Sequence, residues 1–252
     1  MACLADAERV RNERSQILLY GFGKAHDELA GRIVVLGYRA IRANDVEVAV
    51  DLMQRQAQAI RVLMFSSDAP FENRARDLRR MTEASGALGM RTIVSGPQPN
   101  AEGLAALRRD GVRFCLWKGF HDAELRFVIN SALYDETRGQ LRPSVRVPAS
   151  LMVRVKSGAG EKAGMLYNLS ETGAFVETPR PSMPSGRVTL TIEFPEGGAV
   201  AIPATVVFSN VPGNLQKPNL PLGMGVKFSG ISEETAQRVA KFIADRTRAY
   251  TL

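Results

Sequence analysis

Two arginines four residues apart, Arg142 and Arg146, stand just ahead of a stretch with strand periodicity. A guanidinium is permanently charged, planar and forked, so it suits phosphate oxygens and the edge or face of guanine. Some 22 residues further on comes a polar turn, Asn168-Leu-Ser-Glu-Thr-Gly173, between two other strand patterns. It offers an amide at Asn168, a hydroxyl at Ser170, and at Gly173 a position where a ligand can approach the backbone closely. The chemistry these residues describe is the binding of an anionic nucleotide.

The arginine spacing alone carries little. It recurs at Arg76/Arg80, inside a helical pattern beside Asp77, and at Arg109/Arg113, around a helix end at Asp110-Gly111. Arg142/Arg146 is followed within the same stretch by a match to [Asp/Asn]-x-Ser-x-x-Gly, which occurs once in the chain. This pairing resembles the PilZ domain, a bacterial receptor for cyclic di-GMP. The likeness runs from Gln140 to Leu252 and includes Val145-Arg-Val-Pro and Leu222-Gly-Met-Gly-Val-Lys-Phe228.

The resemblance implies roles. Arg142 and Arg146 would bind phosphates and stack on or fork to guanine. Asn168 would accept from guanine N–H groups, Ser170 would add a hydroxyl contact, and Gly173 would keep the floor open. Asn at 168 lacks the charge-assisted bond that Asp would make. Pro143 holds Arg142 in extended backbone, which either preorganises or misplaces that arginine. Leu141 stands where some members carry a further arginine, so one nucleotide per chain is expected.

The elements that must position these residues follow from periodicity. After Arg142 apolar residues alternate: Val153 and Val155; Val188, Leu190, Ile192 and Phe194; Val226 and Phe228. Gly and Pro separate the runs, which predicts a six-stranded antiparallel barrel. Ser232 caps a final helix with Val239, Phe242 and Ile243 toward the barrel. Ser209–Pro221 reads as a long hairpin loop with no apolar anchor beyond Val211 and Leu215, and such loops are often functional.

Ahead of residue 139 the pattern is different. Five short apolar strands, at Ile17–Tyr20, Tyr38–Arg42, Arg61–Phe65, Arg91–Val94 and Val112–Trp117, alternate with amphipathic helices. The helices are expected at 25–36, 46–55, 71–88, 101–109 and 122–138. This is a doubly wound five-stranded parallel sheet. The division is therefore 1–138 and 139–252, an α/β unit followed by a mainly β unit. The first resembles a response-regulator receiver, with Lys118 and Ser95 at matching positions. The phospho-acceptor position, counted back from Pro70, is Ser66. Gly21 and Phe22 replace the acidic pair that would hold Mg²⁺. The resemblance thus implies a degenerate receiver used for protein binding or as a homodimer surface. Gly21-Phe-Gly23-Lys24 fits neither a dinucleotide fingerprint, which needs glycine at His26, nor a P-loop, which needs glycine at Leu18.

Composition narrows the classes. The net charge is +7; residues 1–139 carry 20 basic against 18 acidic side chains, and residues 140–252 carry 13 against 8. The excess sits with the arginine motif, as an anionic ligand requires. Two cysteines, Cys3 and Cys115, form no ligand cluster, and no apolar run is long enough for a membrane span. No carboxylate pair, nucleophile set or metal cluster suggests an enzyme, and no cofactor is expected. The expectation is a cytoplasmic, non-enzymatic cyclic di-GMP receptor that passes binding to a protein partner by an interdomain rearrangement. The partner would dock on the receiver-like unit or the Ser209–Pro221 loop, with motility as the process. The alternatives are a nucleotide-independent scaffold and a basic nucleic-acid-binding protein; the final helix is too acidic at its start for a recognition helix, so DNA is not the expected partner.

Overall fold

The computed structural model describes residues 16–56, 59–69, 71–86, 90–133, 145–158, 160–217 and 220–252. The chain divides into two compact units, 1–138 with 249–252, and 139–248.

In the first unit, strands β1 (Gln16–Tyr20), β2 (Arg39–Ala43), β3 (Ile60–Ser66), β4 (Arg91–Gly96) and β5 (Phe114–Trp117) alternate with helices α1 (Lys24–Val35), α2 (Val46–Arg55), α3 (Arg74–Ala84), α4 (Ala101–Arg109) and α5 (Asp122–Leu133). The strands are parallel in the order β2-β1-β3-β4-β5, the doubly wound order of receiver-like folds. The near-continuous apolar runs of β1 and β3 are explained by burial on both faces. Leu18, Tyr20, Leu63 and Phe65 meet Ala49, Met53, Leu78 and Met81 of α2 and α3. Ile17, Leu19, Val62 and Met64 meet Ile33 of α1 and Leu125, Val128 and Ile129 of α5. Asp45, Asn73 and Asn100 cap α2, α3 and α4, each accepting from a backbone N–H three residues on.

The expected helix over 71–88 begins only at Arg74. Asn73 offers a cap, and Phe71 is held outside the helix by stacking on Tyr20 at a ring separation of 4.6 Å. The expected ends at Leu88, Gly89 and beyond 133 lie outside the described residues. Residues 249–252, read from sequence as part of the second domain, cluster with the first unit: Thr251 bridges Phe114 and the Leu252 N–H donates to the Arg113 carbonyl.

The second unit is a closed antiparallel barrel. Its strands are β6 (Val147–Ser157), β7 (Gly160–Ser170), β8 (Gly173–Glu177), β9 (Arg187–Phe194), β10 (Gly198–Val211) and β12 (Gly223–Phe228), with a two-residue β11 (Asn214–Leu215) at one edge. The order is β10-β12-β8-β7-β6-β9, and β9 pairs back onto β10 to close six strands. Alternate residues fill the interior, among them Val153, Val155, Leu190, Ile192, Val206, Met224 and Val226. Helix α6 (Glu233–Tyr250) adds Val239 and Ile243 to that core, with Phe242 against it.

The Ser209–Pro221 segment departs from expectation. β10 continues to Val211, and the fully buried Asn210 ties the segment down without an apolar anchor. Its Nδ2 donates to the carbonyls of Lys217 (2.7 Å), Leu220 (3.3 Å) and Pro221 (3.2 Å), and its Oδ1 accepts from the Lys217 N–H (2.9 Å). One buried amide reaches four backbone groups, its two N–H donors shared among three carbonyls, which a hydropathy reading cannot register.

Candidate functional site

Pairing of β6 with β7 and of β7 with β8 brings the two ends of the sequence motif together. Val147, next to Arg146, is in register with Leu169, and Ser170 with Gly173. Three ladders contain bulges: between Pro148 and Leu151 against β7, between Leu166 and Asn168 against β8, and between Val206 and Phe208 against β12. A bulge inserts an extra residue and re-aims the side chains beside it. At the first, Ser150 takes a left-handed φ of 51°, and Arg246 of α6 donates to the carbonyls of Pro148 (3.0 Å) and Ala149 (3.4 Å). At the third, Val207 is turned outward, 60% exposed, and Phe208 lies opposite Gly225.

These devices shape an open cleft of about 210 Å³ on the outer face of the barrel, lined by Arg146, Thr172, Gly173, Phe208, Gly225 and Lys227 among others. Its floor depends on two glycines. A Cβ on Gly173 would lie 2.3 Å from the Val226 carbonyl oxygen, and one on Gly225 2.1 Å from the Phe208 ring. Glycine at 173 therefore lets β12 approach, and glycine at 225 lets an aromatic ring lie against the backbone. Phe208 continues into Phe175 (centroids 5.8 Å), which meets Tyr167 edge-on at 6.0 Å. Phe175 and Tyr167 are buried and back the partly exposed Phe208.

Four of the five site residues expected from sequence lie among the described residues. Arg146 is exposed and lines the cleft. Arg142, with Leu141 and Pro143, lies outside the described residues. Asn168 is buried, and its Oδ1 accepts from the Phe175 N–H at 3.1 Å. Ser170 is buried, and its hydroxyl donates to the Gly173 carbonyl at 3.0 Å. Both hold the hairpin in shape, and only Gly173 of the three faces the cleft. Phe208, Val207, Thr172 and Lys227 were not singled out. A 2.0-residue period would place Val206 and Phe208 on one face, and nothing local announces the bulge between them.

In the first unit Ser66 ends β3, in register with Ser95 at the end of β4. The Ser66 hydroxyl donates to the Asp68 carboxylate, and Ser95 donates to the Phe65 carbonyl at 3.4 Å. Phe22 is 70% exposed where the receiver pattern has an acid. Among the described residues no group of three acidic, His or Cys side chains converges to hold a metal ion. Cys115 is buried, and burial pushes its thiol up to about 12, so it carries no thiolate chemistry at neutral pH.

Residues 140–245 match the family model of the PilZ domain. The second unit is thus a PilZ domain, and the first a receiver-like doubly wound unit. Among solved structures, the chain is similar to the inhibitor of motility MotI/DgrA of Bacillus subtilis, at 26% identity over 45% of this chain and 54% of that one, with a TM-score of 0.37. The chain thus spans about half the length of that protein. It is similar to the PilZ domain of YcgR from Escherichia coli, determined with c-di-GMP, at 18% identity over 44% and 94% of the two chains and a TM-score of 0.35. A signal receiver domain from a Pseudomonas fluorescens HD domain-containing protein matches at 20% identity over 48% and 88%, with a TM-score of 0.41. No curated protein matches this chain. Among the described residues no helix is long and apolar enough to cross a membrane.

Proposed function

We propose that this protein is a non-enzymatic receptor for cyclic di-GMP that binds the nucleotide on the outer face of its PilZ barrel and passes the signal to a protein partner through an interdomain rearrangement. The observation that carries this reading is one cleft holding Arg146 and the Gly173 turn, residues that sequence separates and the β6-β7-β8 pairing joins. In this reading Arg146 takes a phosphate oxygen, and the Phe208 face offers a surface on which a base stacks. A cleft of about 210 Å³ is smaller than the ~300–1,000 Å³ usual for whole small molecules. It suits one base or one phosphate of the nucleotide, with the remainder lying across its mouth. Asn168 Oδ1 retains a second lone pair for a guanine N–H. Because Asn168 and Ser170 are buried, their direct contact requires neighbouring atoms to move aside.

The charge distribution favours this reading over nucleic-acid binding. Every cation on α6 has a partner: Arg238 with Glu234 and the Gly197 carbonyl, Lys241 with Glu196, Arg246 with two carbonyls of β6, and Arg248 with Asp245. A recognition helix needs such side chains available for bases and phosphates.

Titration calorimetry with cyclic di-GMP tests the proposal. Arg146→Ala should weaken binding at least tenfold, since a charge-assisted contact contributes about 1.5–3 kcal/mol. The melting temperature should hold, because Arg146 is exposed. Arg142→Ala should behave alike. Equal affinity in wild type and both variants would sink the site. The expected stoichiometry is one nucleotide per chain, because Leu141 offers no donor to a second.

A further inference from the structure

We propose that Lys227 is a second cationic anchor of the cleft and holds a phosphate oxygen on the β12 side, across from Arg146. The assignment deepens the cyclic di-GMP reading and rests on it.

Along β12 the alternation is strict. Met224 and Val226 point into the barrel core, so Gly223, Gly225 and Lys227 face outward. Phe208 already covers Gly225. Lys227 is therefore the outward side chain that β12 contributes to the cleft wall, and it is exposed. Its cross-strand neighbours cannot neutralise it: Gly173 on β8 has no side chain, and Thr205 on β10 carries only a hydroxyl. Among the described residues the Lys227 ammonium has no hydrogen bond and no ion pair, not even with Glu171 of the adjoining turn.

Three other outward cations of this unit are engaged, while Lys156, Arg180 and Arg187 are exposed without a side-chain partner among the described residues but do not line the cleft. Arg154 pairs with Glu161, Lys162 donates to the Arg180 carbonyl, and Lys241 pairs with Glu196. The strand order then sets the geometry. β6 and β12 flank the β7–β8 hairpin on opposite sides, so Arg146 and Lys227 reach the cleft from opposite edges. A ligand with two phosphodiesters that lies across the mouth of this small cleft can present one to each edge, with only the base over Phe208 held inside it. An ammonium is a compact point charge with three donors, suited to a phosphate oxygen but not to forked recognition of guanine, which falls to the arginines.

The test is cyclic di-GMP affinity measured at two salt concentrations for wild type, Lys227→Ala, Lys227→Gln, Lys227→Arg and Arg146→Ala. Lys227→Ala and Lys227→Gln should each weaken binding about tenfold, with a shallower salt dependence, because one charge–phosphate contact is gone. Lys227→Arg should stay within about threefold of wild type. Melting temperatures should be unchanged, since the side chain is exposed. Wild-type affinity in Lys227→Ala overturns the assignment. So does weakened binding with an unaltered salt dependence, which would mean that the contact is not to phosphate. If Arg146→Ala loses binding while the Lys227 variants keep it, the receptor reading stands and only Lys227 is wrong. A wild-type protein that does not bind cyclic di-GMP overturns both.

Discussion

Asn168, Ser170 and Gly173 each have a structural task besides any contact with a nucleotide. Asn168 satisfies the Phe175 N–H and Ser170 the Gly173 carbonyl inside a buried hairpin. Removing either partner leaves a buried polar group unmatched, at about 1–3 kcal/mol. Loss of binding in an Asn168→Ala or Ser170→Ala protein would therefore not separate recognition from folding, whereas Arg146 and Lys227 are exposed and do separate them. A different residue sets a pH dependence in the first unit. Burial lowers the pKa of His26, opposed by its hydrogen bond to the Leu19 backbone and reinforced by Arg42, and its Nε2 is buried with no partner among the described residues. The folded chain thus prefers the neutral ring, and the unfolded chain, at the usual ~6.5, binds more protons. Stability of this unit should be fully present above pH ~6.5 and should fall as pH drops through that value toward the lower folded-state pKa. His26→Gln should flatten the change in melting temperature between pH ~7.5 and ~5.5; an unaltered slope would show that other groups set it.

At the scale of elements, bulges and glycines build the cleft. Gly173 and Gly225 both lack room for a methyl group, but the obstacles differ. At Gly173 it is the backbone carbonyl of Val226; at Gly225 it is the ring of Phe208, which can swing outward. Gly225→Ala should therefore cost about 1–3 kcal/mol of stability, and the displaced ring should occupy the cleft and abolish nucleotide binding. Gly173→Ala should cost more, because β8 and β12 must separate. Thermal melts of the two variants check the order, and a lower melting temperature for Gly225→Ala than for Gly173→Ala would contradict this account of the floor. The anchoring of Lys217, Leu220 and Pro221 by Asn210 likewise makes these residues a built edge of the barrel.

For the whole molecule, the proposed signal is a change between two units. In this proposal a phosphate bound by both Arg142 and Arg146, which lie in sequence between α5 and β6, would draw the connecting segment toward the barrel. Small-angle scattering of the full chain should show a changed interdomain distance when saturating cyclic di-GMP is added. Superimposable curves at saturation would confine the signal to the barrel surface. The receiver-like unit, with Ser66 at the acceptor position and Phe22 exposed, is in this proposal the surface for a protein partner or a second copy.

The sequence by itself determined the two architectures. Runs such as Ile17–Tyr20, buried on both sides, and alternations such as Val188–Phe194, buried on one, follow directly from whether a strand is covered on two faces or one. It also put Arg146 and Gly173 forward as one site, and the structure brings both to the same cleft. Tertiary structure alone decided the rest of the cleft. Phe208 and Lys227 lie 35 and 54 residues beyond Gly173 and reach the motif only because β12 inserts between β8 and β10. The bulge at Val207 reverses the face that a period of two assigns to the residues after it. Long-range pairing and a one-residue slip in register leave no local trace, because each depends on the partner strand and not on the residues that carry it.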